Sequence, residues 1–118
     1  MQTYHIKVVN HRITKIGEYI GRPSPLGNPF THLKGNTRAE IIVASREEAV
    51  KRYEEWLVQH IQQKTPQIIA ELTRLYALLK KNGTLELRCW CAPQACHGDV
   101  LKRVLEQALE RELARKQT

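Results

Sequence analysis

The segment TLELRCW, residues 84–90, most strongly constrains the fold, because its alternation is that of a strand half-buried in a sheet. Leu85, Leu87 and Cys89 point to one side, and the polar residues between them point to the other. Helical periodicity precedes this segment and follows it, so the strand is enclosed between helices. A strand reached by a helical crossover lies parallel to a neighbour, which predicts an α/β fold with this strand at its centre.

Three helices are predicted around this strand. The first begins at a capping box formed by Ser45 and Glu48, and its apolar stripe runs through Tyr53 and Leu57. The second begins with Thr65-Pro66 and ends at Asn82-Gly83, and the third begins near Gly98-Asp99.

The segments YHIKVVN and KIGEYIG predict two strands near the N-terminus, and residues 41–43 are compatible with a short strand or a helical turn. The 118 residues therefore predict a single compact α/β domain over residues 1–118. We expect a small mixed sheet of three to five strands, packed with three main helices.

The segment RPSPLGNPF, residues 22–30, contains three prolines and a glycine. Proline removes backbone donors and breaks helices and sheet ladders, so this segment is an irregular loop. It is long for a simple connection, which indicates either a packed surface loop or a functional loop.

All three cysteines lie within CWCAPQACH, residues 89–97. The pattern places them at a strand end, a short loop and a helix start, where ligands gather in open α/β folds. The amide groups of a helix start favour an anion or a thiolate. We therefore expect Cys96 to ionise more readily than a free thiol, and His97 beside it to add charge or to transfer a proton.

The net charge is +7, of which the first 38 residues supply +5. This field attracts phosphate-bearing partners, although a merely solvated basic surface is an equal alternative. The sequence contains no apolar run long enough to span a membrane. Its first residues lack the charged region, apolar core and cleavage site of a signal peptide. We therefore expect a cytoplasmic protein with no membrane partner. The first 38 residues contain one acidic residue, Glu18, and the basic residues Lys7, Arg12, Lys15, Arg22, Lys34 and Arg38.

Three stretches resemble the bacterial and phage family called domain of unknown function 4326: YIGRPSPLGNPF, SREEAVKRYEEWL and LRCWCAPQACHGDVL. The resemblance covers residues 19–101 in order and includes the patterns G-R-P-x-x-x-G-N-P-F and C-W-C-x-P-x-x-C-H-G-D. It implies that two motif loops belong to one recurring arrangement, and it implies no particular activity. The matching positions are Gly21, Arg22, Pro23, Gly27, Asn28, Pro29, Phe30, Cys89, Trp90, Cys91, Pro93, Cys96, His97, Gly98 and Asp99.

Three interpretations of the cysteines remain open. In the first, Cys96 and His97 are catalytic or ligand-contacting groups in an anion pocket. In the second, Cys89, Cys91, Cys96 and His97 bind zinc, a cofactor whose tetrahedral site suits thiolates and imidazole, although adjacent Cys96 and His97 rarely converge on one ion. In the third, the thiols are small apolar side chains of the core.

The main hypothesis is a binding domain or an enzyme for a small anionic ligand, a phosphorylated compound such as a nucleotide. Its site would join the loop from Arg22 to Phe30 to the loop from Cys89 to Asp99. The alternative is a basic accessory protein that binds nucleic acid. The sequence contains no Walker loop, no dinucleotide-binding glycine motif and no pair of loop carboxylates, so any catalysis depends on cysteine, histidine and arginine. The predicted ligand-binding residues are Gly21, Arg22, Gly27, Asn28, Trp90, Gly98 and Asp99.

Overall fold

A computed structural model of the chain describes residues 3–12, 17–22, 24–31, 41–90 and 96–116. Its elements follow the order that the sequence predicts, with two helices before the last strand and one after it. They are β1 (His5–Asn10), β2 (Glu18–Tyr19), β3 (Phe30–Thr31), β4 (Ile41–Ile42), α1 (Arg46–Gln62), α2 (Pro66–Asn82), β5 (Thr84–Cys89) and α3 (His97–Lys116).

The main sheet has three strands in the order β1-β5-β2, so β5 is central, as predicted. Ile6 of β1 pairs with Leu85 and Val8 pairs with Leu87. Strand β2 pairs with Leu87 and Arg88 on the other side of β5. The α/β class and the number of strands are confirmed.

Every strand pair within the described residues is parallel, including the separate pair β3-β4, whereas a mixed sheet was expected. Strand β5 is parallel to its neighbours because helices α1 and α2 lead the chain back to the edge of the sheet where the strands begin. Strand β5 therefore enters between β1 and β2 in the direction of both.

The helix ends follow the local sequence signals. The side chain of Ser45 accepts a hydrogen bond from the Glu48 amide (3.1 Å), as the predicted capping box requires. The Glu48 carboxylate accepts its hydrogen bond from the Ala44 amide (3.0 Å), one residue before the Ser45 amide that a capping box uses. Helix α2 has Pro66 in its first turn and ends at Gly83, whose φ of 76° is left-handed.

One hydrophobic core joins the three helices to one face of the sheet. Leu85, Leu87 and Cys89 of β5 are buried, and Tyr53 and Leu57 of α1 are buried with them. The other face of β5 carries Thr84, Glu86 and Arg88, which remain at least partly exposed. None of the helices among the described residues is long and apolar enough to cross a membrane.

Candidate functional site

Strands β1, β2 and β5 all end at the same edge of the parallel sheet, and the chain continues there into its loops. In open α/β sheets this carboxyl edge is where ligands bind. Five side chains gather at it, and we call them the carboxyl-edge cluster: His11, Arg12, Tyr19, Arg88 and Trp90.

Trp90 is the most exposed aromatic side chain of this cluster, with half of its surface (50%) accessible. Its ring is nevertheless held in place, because the indole N–H donates a hydrogen bond to the hydroxyl oxygen of Tyr19 (2.8 Å). The Tyr19 hydroxyl in turn donates to the backbone carbonyl of Arg22 (2.9 Å). A large apolar ring that is exposed and oriented is typical of a stacking surface.

His11 lies between the two larger rings. Its ring centroid is 4.7 Å from that of Tyr19 and 4.7 Å from that of Trp90. The Arg88 guanidinium lies 3.2 Å from Nδ1 of His11 and donates to the Gly17 carbonyl (3.0 Å). Because a guanidinium can only donate, Nδ1 accepts this hydrogen bond, and the proton of a neutral His11 ring is on Nε2.

Arg12 adds a second positive charge on the exposed side of the cluster. Its guanidinium carbon lies 5.3 Å from the centroid of the Trp90 ring, and the side chain is exposed. An exposed cation–π contact contributes only about 0.5–1 kcal/mol, so an anionic ligand can draw Arg12 away from the ring at small cost.

The Pro-rich loop (residues 22–30, of which Pro23 lies outside the described residues) packs against α1. Leu26 is fully buried, and its carbonyl accepts a hydrogen bond from the Tyr53 hydroxyl (2.7 Å). Asn28 is buried and donates to the Ala49 carbonyl (3.3 Å), while its side-chain oxygen accepts from the Phe30 amide (2.8 Å). Both ends of the Asn28 amide are thus used within the protein.

The predicted residues Gly21, Arg22 and Gly27 also have structural partners. The Arg22 guanidinium donates to the Asn28 carbonyl. A Cβ on Gly21 would lie 2.3 Å from the Tyr19 hydroxyl, and one on Gly27 would lie 2.9 Å from Cα of Arg22. These glycines allow the close approach of neighbouring segments, and a direct ligand-binding role for them stays a prediction.

At the start of α3, Cys96, His97 and Gly98 are buried and Asp99 is exposed, and the chain itself caps the helix. The Asp99 carboxylate accepts a hydrogen bond from the Cys96 amide (3.1 Å), and the Asp99 amide donates to the Cys96 carbonyl (3.1 Å). Gly98 is buried, and a Cβ there would lie 2.8 Å from the side chain of Val8. Gly98 therefore allows α3 to approach β1 closely.

His97 is buried and neutral. Its Nε2 donates to the Ile20 carbonyl (2.7 Å), and its ring meets that of Tyr53 edge-on at 5.0 Å. Burial, with a smaller contribution from the positive charge of Arg22, lowers the pKa of His97 to about 4. His97 thus joins Ile20, just before the Pro-rich loop, to the start of α3, so the described ends of the two motif loops meet at one end of the sheet.

The expected ready ionisation of Cys96 is wrong. Its side chain is 3% exposed, and its sulfur lies 2.8 Å from that of Cys89, which is 1% exposed. The hydrogen bond with Cys89 and burial both raise the pKa of Cys96 well above its ordinary value, and these effects outweigh the lowering by the Gly98 amide. A catalytic role for Cys96 and His97 stays a prediction, and the buried Cys89 matches the core interpretation.

The zinc interpretation gains no support from the described donors. His97 uses Nε2 to bind the Ile20 carbonyl, and Cys91 lies outside the described residues. Among the residues that the structure describes, no three histidine, cysteine, aspartate or glutamate side chains are grouped to hold a metal ion.

The sequence indicates Trp90 as a ligand-binding residue and Arg12 as one of the basic residues that attract phosphate, but it singles out none of His11, Tyr19 and Arg88. His11 and Arg12 directly follow β1, and Tyr19 ends β2. Their position after strands was the available signal, since the carboxyl ends of parallel strands meet at one edge.

A family model described as Domain of unknown function (DUF4326) matches residues 5–107, which is most of the chain. The protein therefore belongs to this family, in agreement with the resemblance of its motifs. The match includes all five members of the carboxyl-edge cluster and both motif loops. No curated protein and no solved structure matches the chain.

Proposed function

We propose that this protein binds a small phosphorylated ligand of the nucleotide class at the carboxyl edge of its sheet. The observation that carries the proposal is Trp90, which is half exposed, held by Tyr19 and accompanied by Arg12. An aromatic ring and a cation are the two groups that a base and its phosphate require.

The charge of this edge supports an anionic ligand. Arg12, Arg22 and Arg88 lie there, and the nearby Glu18 carboxylate pairs with Arg74 of α2 (2.5 Å). Asp99 caps α3. Among the described residues of the edge, the positive charges thus exceed the negative ones, as phosphate binding needs.

The roles within the site follow from chemistry. The Trp90 ring stacks on the base, and Arg12 binds phosphate after it leaves the ring. A neutral His11 with its proton on Nε2 offers one hydrogen-bond donor, and Arg88 holds that tautomer. The Pro-rich loop and the start of α3 position this surface from beneath.

The two tryptophans allow a direct test by fluorescence. Trp56 lies on α1 beside Tyr53, so the variant Trp56→Phe leaves Trp90 as the one reporter. We expect saturable quenching of Trp56→Phe by adenosine or guanosine diphosphate. The matched variant Trp90→Phe retains only Trp56 and should show no saturable response.

The requirement for phosphate charge sharpens this test. Arg12→Gln should weaken the affinity for a nucleoside diphosphate by about tenfold, the effect of losing one charge-assisted contact. Inorganic pyrophosphate should compete, and the free nucleoside should bind more weakly than its diphosphate. Absence of saturable binding for every nucleotide tested would refute the proposal.

The alternative is nucleic-acid binding, which the same ring and cation would serve by stacking the bases of a single strand. Lys7 and Arg12 are exposed, whereas Lys15 and Lys34 of the basic N-terminal third lie outside the described residues. Binding of a single-stranded oligonucleotide that falls steeply with added salt, without binding of mononucleotides, would favour this alternative.

A further inference from the structure

Two of the three cysteines form a contact in the corner between β5 and α3. The sulfur atoms of Cys89 and Cys96 are 2.8 Å apart. A disulfide bond is about 2.05 Å long, so the two sulfur atoms need to approach by less than about 1 Å to form one. No other group has to pass between them.

The backbone on both sides holds this pair in place. The Cys89 carbonyl accepts a hydrogen bond from the His11 amide (2.8 Å), which fixes the end of β5 against the chain after β1. Cys96 is fixed by its two hydrogen bonds with Asp99. A Cβ on Gly98 would lie 3.3 Å from the Cys96 sulfur, so glycine leaves the sulfur its space.

We propose that Cys89 and Cys96 are a reversible disulfide pair, which a small disulfide such as oxidised glutathione closes and a small thiol reopens. The proposal does not depend on nucleotide binding. It assigns a chemical role to two buried thiols that the proposed ligand does not contact.

The reaction is two successive thiol–disulfide exchanges. Because both sulfur atoms are buried in the closed corner, the first exchange requires a local opening that exposes one cysteine to water. The exposed cysteine loses its proton and attacks a sulfur of oxidised glutathione, which breaks that disulfide and releases one glutathione thiol with the proton. The second cysteine then attacks the protein sulfur of the mixed disulfide and releases the second glutathione in the same way. Two protein thiols are oxidised, and one small disulfide is reduced to two thiols.

Closure of the pair would join the end of β5 covalently to the start of α3. Trp90 directly follows Cys89, so the bond would anchor the chain beside the exposed ring of the carboxyl-edge cluster. A cross-link between these two elements also restricts the unfolded chain. The oxidised protein should therefore have a higher Tm than the reduced protein.

The wild-type chain allows the first test, because trypsin releases residues 89–102 as one peptide with all three cysteines. The protein is incubated with oxidised glutathione and alkylated under denaturing conditions, and the peptide is fragmented in a mass spectrometer. We expect one alkyl group, on Cys91, and the loss of two hydrogen atoms from the remaining pair. Dithiothreitol should restore three alkylated cysteines and lower the Tm.

Two variants complete the test. Cys91→Ser retains the pair and should close fully with the same rise in Tm. The double variant Cys89→Ser with Cys91→Ser leaves Cys96 alone, so it should form a glutathione adduct without a cross-link. A bond that involves Cys91 in the wild type, or Cys89 and Cys96 that remain free at every ratio of oxidised to reduced glutathione, would overturn the proposal. Protection of all three thiols that only a chelator removes would also overturn it.

Discussion

The Pro-rich loop and the carboxyl-edge cluster lie at the same end of the sheet but use their polar groups in opposite ways. In the loop, the Asn28 amide and the Leu26 carbonyl bind partners within the protein. In the cluster, Trp90 is half exposed and Arg12 is exposed. Leu26 and Asn28 of the loop thus have structural roles, whereas the cluster presents exposed side chains to solvent.

The two regions are connected through Tyr19. Its hydroxyl accepts from Trp90 of the cluster and donates to the Arg22 carbonyl of the loop. Changes in the loop should therefore alter mainly the stability of the protein, and changes in the cluster should alter mainly ligand binding. Leu26→Ala and Tyr19→Phe test this division directly, and the pH dependence of His97 tests the buried contact that joins α3 to the segment before the loop.

The largest expected effect comes from Leu26→Ala in the Pro-rich loop. Leu26 is fully buried between the loop and α1, so its truncation leaves a cavity and should lower the free energy of unfolding by about 2–5 kcal/mol. Urea unfolding measured by circular dichroism gives this value. The matched control is Leu113→Ala on α3, where the side chain is 45% exposed and the change should stay within about 0.5 kcal/mol. Equal losses for the two variants would contradict the structural role of the loop.

The second effect is an acid sensitivity that His97 confers. Its pKa is about 4 in the folded protein, against 6.5 for an unperturbed histidine such as that of the unfolded chain, so the unfolded state binds the proton first as the pH falls. The stability that depends on neutral His97 is complete above pH 6.5 and is lost progressively below it, by about 3 kcal/mol at pH 4.

The variant His97→Gln separates this contribution from that of the carboxylates. Glutamine retains a donor for the Ile20 carbonyl but cannot gain a charge. Urea unfolding at about pH 7 and at about pH 4.5 should show a smaller difference for His97→Gln than for the wild type. The same pH dependence in both proteins would show that His97 does not titrate as its burial implies.

The smallest effect on stability is expected from Tyr19→Phe, which removes the hydroxyl between the two regions. The free energy of unfolding should change by no more than about 1 kcal/mol. The Trp90 N–H and the Arg22 carbonyl lose their partner, but neither residue is buried, so both groups can bind water instead. The exposed Trp90 ring should lose its orientation, so affinity for a nucleoside diphosphate should fall a few-fold and the fluorescence anisotropy of Trp90 should fall in the Trp56→Phe background.

Tyr76→Phe is the matched control for this prediction. The Tyr76 hydroxyl bonds to Glu112 of α3, and this pair lies between α2 and α3, away from the carboxyl edge. Its removal should leave nucleotide affinity unchanged. An equal loss of affinity in both tyrosine variants would mean that the effect is general, and it would remove Tyr19 from the site.

The sequence alone determined the elements whose signals are local. The alternation of Leu85, Leu87 and Cys89 predicted β5, and the capping box at Ser45 and the glycine at position 83 predicted helix ends that the structure confirms. These signals depend on neighbours within a few residues along the chain, so no tertiary contact was needed to interpret them. The family resemblance also came from the sequence, and the family match confirms it.

Only the tertiary structure decided which side chains meet at the carboxyl edge and that the Cys89 and Cys96 thiols are buried. The amide groups at the start of α3 suggested an ionised Cys96, but the packing of α3 against β1 buries that thiol beside Cys89. Likewise, Trp90 and Tyr19 are joined by a hydrogen bond although they are far apart in the sequence. Burial and contacts between distant segments depend on how the helices pack on the sheet, and no local pattern of residues encodes that arrangement.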